Sequence, residues 1–358
     1  MKYIPDIYLG LPSFGARIRT NYEYPGGQFG ISLKILEQID GDIERAREII
    51  YFEYCTIAAT LMRMGEDFSI IRAYVKPDWA DMLGRFEQAG FEFVDFPEIN
   101  QVKLLYPRDL AVCLPDGNTL VCYNKPYNFD KLATEKIKVM VSHLGEGGRT
   151  SIGGGKAIYP ENVAEERNPK QKDGFYQIVR PDCRSIRVSG IRPVALPTPV
   201  TLQVRSKAAN FGNHLDLFMG LITDRSGGSH LIIDPKIQAW IRNISGFMTN
   251  KETLEIYRRI CGENEIQIHV PTSPLNIPAS LCFYQSPSSG RVLMTSGEDE
   301  VAEIVAGIIG EDQIWTTSAP IRYYPVLNQA GIHCLIGELP PWMRQMSQYV
   351  NLEATCPA

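Results

Sequence analysis

One pattern recurs along this chain of 358 residues: a helical segment closes at a glycine and leads directly into a short strand. Three clear copies occupy residues 77–96, 251–270 and 296–317, and a weaker copy occupies residues 130–144. Pairs of strand-like segments joined by turn residues, at 109–124 and 279–296, lie between these helices. Repeats of strand, turn, strand, helix and strand, each of about 60–70 residues, predict an α/β fold built from copies of one module.

The clearest single helix is predicted for residues 42–64, with Asp42 as its N-cap and Gly65 at its end. The glycines predicted to close the three clear copies of the repeat are Gly90, Gly262 and Gly310. Length alone would suggest two or three domains. The repeat instead predicts a single domain over residues 1–358, because no Pro/Gly/Ser-rich linker interrupts it.

Composition narrows the class of protein. The chain is 44% hydrophobic and 22% charged, which is typical of a globular protein with a large core. Its formal net charge of -5 argues against nucleic acid or an anionic membrane as a partner. The sequence shows no span long enough to cross a bilayer, no signal peptide and no metal-binding motif. Eight cysteines without a CxxC pair predict thiols in a reducing cytoplasm, and we expect neither a cofactor nor a metal.

The segment FGNHLDLFMG, residues 211–220, puts His214 and Asp216 two positions apart within an apolar run. In an extended chain these two side chains would share one face. An imidazole beside a carboxylate can move protons and bind a cation. An ordinary surface pair is the alternative interpretation.

Cys334 lies in the apolar segment GIHCLI, near the end of the last repeat. A cysteine is a useful nucleophile where neighbouring groups lower its pKa, and otherwise it is a small core residue. His333 is adjacent, but on a predicted strand it would point to the opposite face, so His214 is the candidate base. Cys356, close to the C-terminus, is the competing nucleophile.

Two further carboxylates are candidates. Asp109 precedes a predicted hairpin and could instead form an ordinary ion pair with Arg108. Glu146 precedes two glycines, which allow close approach of a ligand or simply a sharp turn. The glycine-rich segment 145–156 does not match the spacing of a phosphate-binding loop.

A site with three carboxylates, one histidine and one cysteine would favour a bound cation over an empty state with a thiolate. The carboxylates disfavour a thiolate in the empty site, because like charges repel. A guanidinium would reverse this preference, since its forked donors match carboxylates and its positive charge favours the thiolate. Its central carbon would then be the electrophile for the sulfur.

Four short motifs occur in a fixed order: PRD at 107–109, EGG at 146–148, HLD at 214–216 and GIHCL at 331–335. This set resembles the guanidino-group modifying, or pentein, superfamily. The resemblance implies a pseudo-symmetric five-bladed α/β propeller of ββαβ modules, in keeping with the repeat. It also implies that Asp109 and Asp216 bind the guanidinium nitrogens. His214 would shuttle protons, Glu146 would orient His214 or the substrate, and Cys334 would attack the guanidinium carbon.

The implied activity is hydrolysis of arginine or a related free guanidino compound through a covalent Cys-amidino intermediate, as in arginine deiminases and dihydrolases. An amidinotransferase is the first alternative, and a non-catalytic propeller that binds a ligand or protein is the second. Arg149 stands where many deiminases have Asp after EGG. Arg149 or Arg205 could receive a substrate carboxylate, and a solvated surface role is the alternative for each. The expected partner is a small guanidino substrate, and a homo-oligomer stays open.

Overall fold

The structure is a computed structural model of the chain. It describes residues 6–10, 42–72, 80–95, 111–113, 119–121, 157–158, 175–179, 191–200, 218–241, 246–273, 275, 283–321 and 332–339. The helices among these residues are α1 (Ile43–Arg63), α2 (Ala80–Gln88), α3 (Asn250–Glu263), α4 (Asp299–Ile309) and α5 (Ile332–Leu335). The strands are β1 (Asp6–Gly10), β2 (Phe68–Arg72), β3 (Phe93–Asp95), β4 (Ala111–Cys113), β5 (Thr119–Val121), β6 (Ala157–Ile158), β7 (Phe175–Val179), β8 (Ile191–Ala195), β9 (Thr198–Val200), β10 (Met219–Thr223), β11 (Ser229–Ile233), β12 (Gln238–Ile241), β13 (Gly246–Phe247), β14 (Ile266–His269), β15 (Phe283–Gln285), β16 (Val292–Met294), β17 (Ile314–Thr316) and β18 (Ile336–Leu339).

Four sheets in the described part of the chain share one connectivity. Each begins with an antiparallel strand pair, and a third strand then lies parallel to the second. We name them the first module (β18-β1-β2, extended by β3), the third (β6-β7-β8), the fourth (β10-β11-β14) and the fifth (β15-β16-β17). The antiparallel pair β4-β5 forms the second module, as far as the chain is described there. A separate sheet consists of β13, β12 and β9. β9 precedes the fourth module in sequence, and β12 and β13 lie between its strands β11 and β14.

Helices connect the parallel strands in three of these modules. α1 lies between β1 and β2, α3 precedes β14, and α4 lies between β16 and β17. A helix is the usual connection between parallel strands, because the chain must return to the same end of the sheet. The predicted order of strand pair, helix and strand is therefore present in the fourth and fifth modules, which contain the copies predicted at 251–270 and 296–317. The copy predicted at 77–96 corresponds to α2 and β3, and β3 extends the first module as a parallel neighbour of β2. The weak copy predicted at 130–144 lies outside the described residues.

Local signals account for most helix boundaries. Asp42 Oδ1 accepts the backbone N–H of Arg45 at 3.2 Å, which confirms Asp42 as the N-terminal cap of α1. Gly65, Gly90 and Gly310 all have positive φ, as predicted for glycines that end a helix. The prediction for Gly262 was wrong. α3 runs through it to Glu263, and Asn264 caps the helix by donating its backbone N–H to Cys261 O at 2.9 Å.

The first strand of a module is more deeply buried than the third. All residues of β10 and β15 are buried, whereas the parallel strands β14 and β17 are partly exposed. In the first module, the residues of β18 from Ile336 to Glu338 are likewise buried. The second strands β11 and β16 are buried as well, so in the fourth and fifth modules it is the third strand that approaches the surface.

First strands of different modules contact one another. Gln285 of β15 bonds both backbone groups of Thr223 at the end of β10, each at 2.8 Å. Tyr284 of β15 donates its hydroxyl to Glu338 Oε1 of β18 at 3.3 Å. β18 in turn contacts β4. The first strands of the fourth, fifth, first and second modules therefore follow one another in a continuous series.

Candidate functional site

Cys334 lies in α5, one helical turn placed directly before β18. The neighbouring residues Ile332, Leu335 and Ile336 are fully buried, and the turn contacts β15. The extended conformation predicted for this segment was therefore wrong, because the chain makes a turn before it enters the strand. The side chain of Cys334 lies outside the described part of the structure.

The other predicted site residues fall on segments that the structure does not describe. They are Asp109, Glu146, Arg149, His214 and Asp216, together with the alternatives Arg205 and Cys356. Their positions along the chain can still be related to strands that are described.

Three of the predicted residues precede the first strands of three modules by two or three positions along the chain. Asp109 stands two residues before β4, Asp216 three residues before β10, and Cys334 two residues before β18. Each of these strands is the first strand of its module. Glu146 and Arg149 have no such match, since β6 begins only at Ala157.

Two other cysteines have surroundings unlike those of a nucleophile. Cys55 of α1 and Cys261 of α3 are both free thiols. Burial raises the pKa of Cys261 to about 12 and also raises the pKa of Cys55. A raised pKa keeps these thiols protonated at neutral pH, and a protonated thiol is a poor nucleophile.

The described residues contain one chain of titratable groups that the sequence reasoning missed. We call it the histidine relay: Asp224, His230 and His269. His230 Nε2 lies 3.1 Å from Asp224 Oδ2, and His230 Nδ1 lies 3.0 Å from His269 Nε2. His230 belongs to β11 and is 6% exposed, whereas His269 at the end of β14 is only half-buried. His269 pairs in register with Ile232, so the two histidines sit diagonally across parallel strands.

The carboxylate of Asp224, at one end of the relay, determines which nitrogen of His230 carries a hydrogen. Burial acts to raise the pKa of Asp224, but hydrogen bonds from Ser226, His230 and Gly228 lower it overall. His230 therefore donates from Nε2 to an ionised carboxylate. Its Nδ1 is then either an acceptor from neutral His269 or, in an imidazolium, a donor to it. Burial and the charge of His230 lower the pKa of His269.

The relay is a hydrogen-bonded chain and not a metal centre. The ring centroids are 5.2 Å apart with the nitrogens at 3.0 Å, so each nitrogen points toward the other ring. Ligands of a metal ion would instead converge on a third point. Among the residues described, no group of three or more His, Cys, Asp or Glu is placed to hold a metal ion.

A predictive signal for the relay was present but incomplete. His269 falls within the copy predicted at 251–270, which ends in a strand, whereas no strand was predicted around His230. Their meeting depends on the parallel register of β11 with β14, which two short sequences do not specify.

Comparisons with protein-family models and with curated proteins found no match to this chain. Within the described helices, none combines the length and the apolar character needed to cross a membrane.

Proposed function

We propose that this chain is an enzyme that acts on the guanidino group of arginine or a related free compound. The observation that supports the proposal is that Asp109, Asp216 and Cys334 each come two or three residues before the first strand of a module. Residues at equivalent points of pseudo-symmetric modules meet at one end of the structure when the first strands surround a common axis.

The fold required for such a site is a five-bladed α/β propeller, and it belongs to the same proposal. Its support is four sheets of one connectivity, the strand pair β4-β5, and the series of contacts that joins β10, β15, β18 and β4. The first strands β4, β6, β10, β15 and β18 would line the centre. A reducing, cytoplasmic location is also part of the proposal, and its support is that Cys55 and Cys261 are unpaired thiols.

The proposed chemistry begins when the guanidinium is bound by Asp109 and Asp216. The Cys334 thiolate adds to the guanidinium carbon, and the electron pair of one C=N bond moves onto nitrogen. His214 protonates one nitrogen of the tetrahedral adduct, the C–N bond breaks, and ammonia leaves. The enzyme then carries an amidino group joined to sulfur. Glu146 orients His214 or the substrate in this scheme.

The second half of the reaction releases the amidino group. His214 accepts a proton from water as the water oxygen bonds to the same carbon. The C–S bond then breaks, the thiolate is restored and a ureido product leaves. If the alkyl amine departed first and another amine took the place of water, the same intermediate would lead to amidino transfer. Arg149 is the residue proposed to receive a substrate carboxylate.

The test is product analysis with free arginine, with and without an amine acceptor. Citrulline and ammonia would support a deiminase, ornithine and ammonia a dihydrolase, and ornithine with an amidinated acceptor a transferase. We expect Cys334→Ser to abolish turnover and His214→Gln to lower kcat by about 10²–10⁴-fold. Cys55→Ser is the matched control, since this thiol lies in α1. Absence of any product with guanidino compounds, from folded protein, would reject the proposal in favour of a binding protein.

A further inference from the structure

The histidine relay lies on the face of the fourth-module sheet that packs against the fifth module. His230 and Ile232 of β11 share that face, because residues two apart on a strand point the same way. Ile232 packs in one hydrophobic cluster with Val301 and Val305 of α4. The relay is therefore part of the junction between two modules.

Two polar links join the same modules close to the relay. On one side, the carboxylate of Glu300 at the start of α4 accepts the backbone N–H groups of Thr272 and Ser273, the latter at 2.9 Å. These two residues follow β14, which ends at His269. On the other side, Arg225, next to Asp224, bonds both carboxylate oxygens of Asp312 at 3.2 Å. The relay connects these two links through Asp224 and β14.

We propose that Asp224, His230 and His269 form a pH-sensitive contact that holds this junction together. The contact persists while both imidazoles are neutral or one of them is an imidazolium, and it breaks when both are protonated. A neutral pair has one N–H donor facing one lone pair. A singly protonated pair keeps that arrangement and gains a charge-assisted bond. A doubly protonated pair would direct two N–H groups at each other across 3.0 Å, which is repulsive.

The charged groups next to the relay already have partners, so the protonation of the two imidazoles depends on the relay itself. Asp224 is the carboxylate that faces His230, and it already accepts hydrogen bonds from Ser226 and Gly228. On the packed elements of the fifth module, Asp312 is paired with Arg225 and Glu300 with backbone amides. Within the described residues, the charge that acts on His269 is that of His230. A second proton on the pair therefore separates the end of β14 from the β10–β11 turn.

The experiment is hydrogen exchange of the full chain between about pH 7.5 and about pH 5, expressed as protection factors that correct for intrinsic pH dependence. We expect protection of residues 268–273 and 224–228 to fall by about tenfold as the second proton binds. The side-chain resonances of His269 should shift over the same pH range as the fall in protection. Unchanged protection of these segments in the wild-type protein would overturn the proposal, without bearing on the guanidino chemistry.

Two variants distinguish a loss of protection caused by the relay from a general loss of protection in acid. His269→Gln keeps a donor for His230 but cannot be protonated, so we expect the pH-dependent step in protection to disappear. His333→Gln removes a histidine from α5, which contacts β15 and β18, and should leave the step in place. An equal step in His269→Gln and wild type would contradict the proposal. If His269→Gln does not fold, the wild-type protein decides between the outcomes. Protection that falls over the pH range in which the His269 resonances shift supports the proposal, and protection that falls over a different range contradicts it.

Discussion

At the scale of single residues, Asp224 organises the best-defined polar cluster of the described chain. Its Oδ1 accepts from the backbone N–H and the hydroxyl of Ser226, at 2.8 and 2.7 Å, and from the N–H of Gly228 at 2.7 Å. Its Oδ2 faces His230. The carboxylate thus shapes the β10–β11 turn and sets the protonation of the relay at the same time.

We predict that Gly228→Ala destabilises this turn. An added Cβ would lie 2.6 Å from Asp224 Oδ2, and the carboxylate cannot move away without losing hydrogen bonds. The free energy of unfolding, from urea denaturation, should fall by about 1–2 kcal/mol.

Gly262→Ala is the matched control for that substitution. Gly262 lies inside α3, and an added Cβ there would meet nothing within 4 Å. Alanine should therefore raise the free energy of unfolding by about 0.5–1 kcal/mol. Equal effects of the two substitutions would contradict the described turn.

Stability should also fall in mild acid because of His269. Its pKa in the folded protein is lowered from 6.5 by burial and by His230, so the unfolded chain binds the proton more readily. The stabilisation is therefore complete above about pH 6.5 and is lost as the pH falls through the lower folded value. We expect the urea midpoint of the wild type to decline over that window and the midpoint of His269→Gln to decline less. Identical pH profiles would show that His269 plays no part.

At the scale of elements, α3 shows how local sequence defines one module. Thr249 Oγ1 accepts the N–H of Glu252 at 3.3 Å, and Glu252 Oε2 accepts the N–H of Thr249 at 2.7 Å. This reciprocal capping box fixes the start of the helix. Leu254, Tyr257 and Cys261 then form its buried face against the fourth-module sheet.

We predict that Thr249→Ala lowers the free energy of unfolding by about 1 kcal/mol, because the first turn of α3 loses a side-chain acceptor. Thr249→Ser keeps the hydroxyl and is the control. Urea denaturation of both variants provides the measurement. A loss as large in the serine variant would mean that the methyl group of Thr249, and not its oxygen, is responsible.

Elements with strong local signals were predictable from the sequence, whereas their neighbours in space were not. The helix of α1 follows from Asp42, Gly65 and regular apolar spacing. The sequence predicts a strand where the turn of α5 lies, because a segment of four residues before a strand is too short to show a period of its own. The pairing of β18 with β1 joins residues more than 300 positions apart, which no local pattern encodes.

The site residues were not predicted from local patterns, as the helices and strands were. Asp109, Asp216 and Cys334 were selected by their chemistry and by a resemblance, and the relation of each to a first strand emerged from the element bounds. The histidine relay was missed for the opposite reason. It carries no motif, and only the strand register brings its members together.

At the scale of the whole molecule, polar contacts between side chains and their neighbours link the modules. Gln285 is 2% exposed and satisfies both the N–H and the carbonyl of Thr223 in the neighbouring module. Glu66, after α1, similarly accepts the hydroxyls of Ser288 and Ser289 in the fifth module, at 2.8 and 2.6 Å. Such contacts specify how modules are arranged, because a buried backbone group without a partner is costly.

We therefore predict that Gln285→Leu destabilises the protein by about 2–4 kcal/mol, since it leaves two buried backbone groups of Thr223 unpaired. Gln267→Leu, at an exposed position of β14, is the control and should change stability by less than about 0.5 kcal/mol. Urea denaturation of the two variants tests this. A loss below about 1 kcal/mol in Gln285→Leu would argue against close association of the fourth and fifth modules.

The most direct test of the proposed common site is covalent trapping. The folded chain is treated with a haloacetamidine reagent, which presents an amidinium beside an electrophilic carbon, and the modified peptide is identified by mass spectrometry. We predict stoichiometric modification of Cys334, with Cys55 and Cys261 unmodified, slowed by free arginine and lost in Asp216→Asn. Labelling that ignores Cys334, or that arginine and Asp216→Asn leave unchanged, would contradict a guanidinium site built around this cysteine.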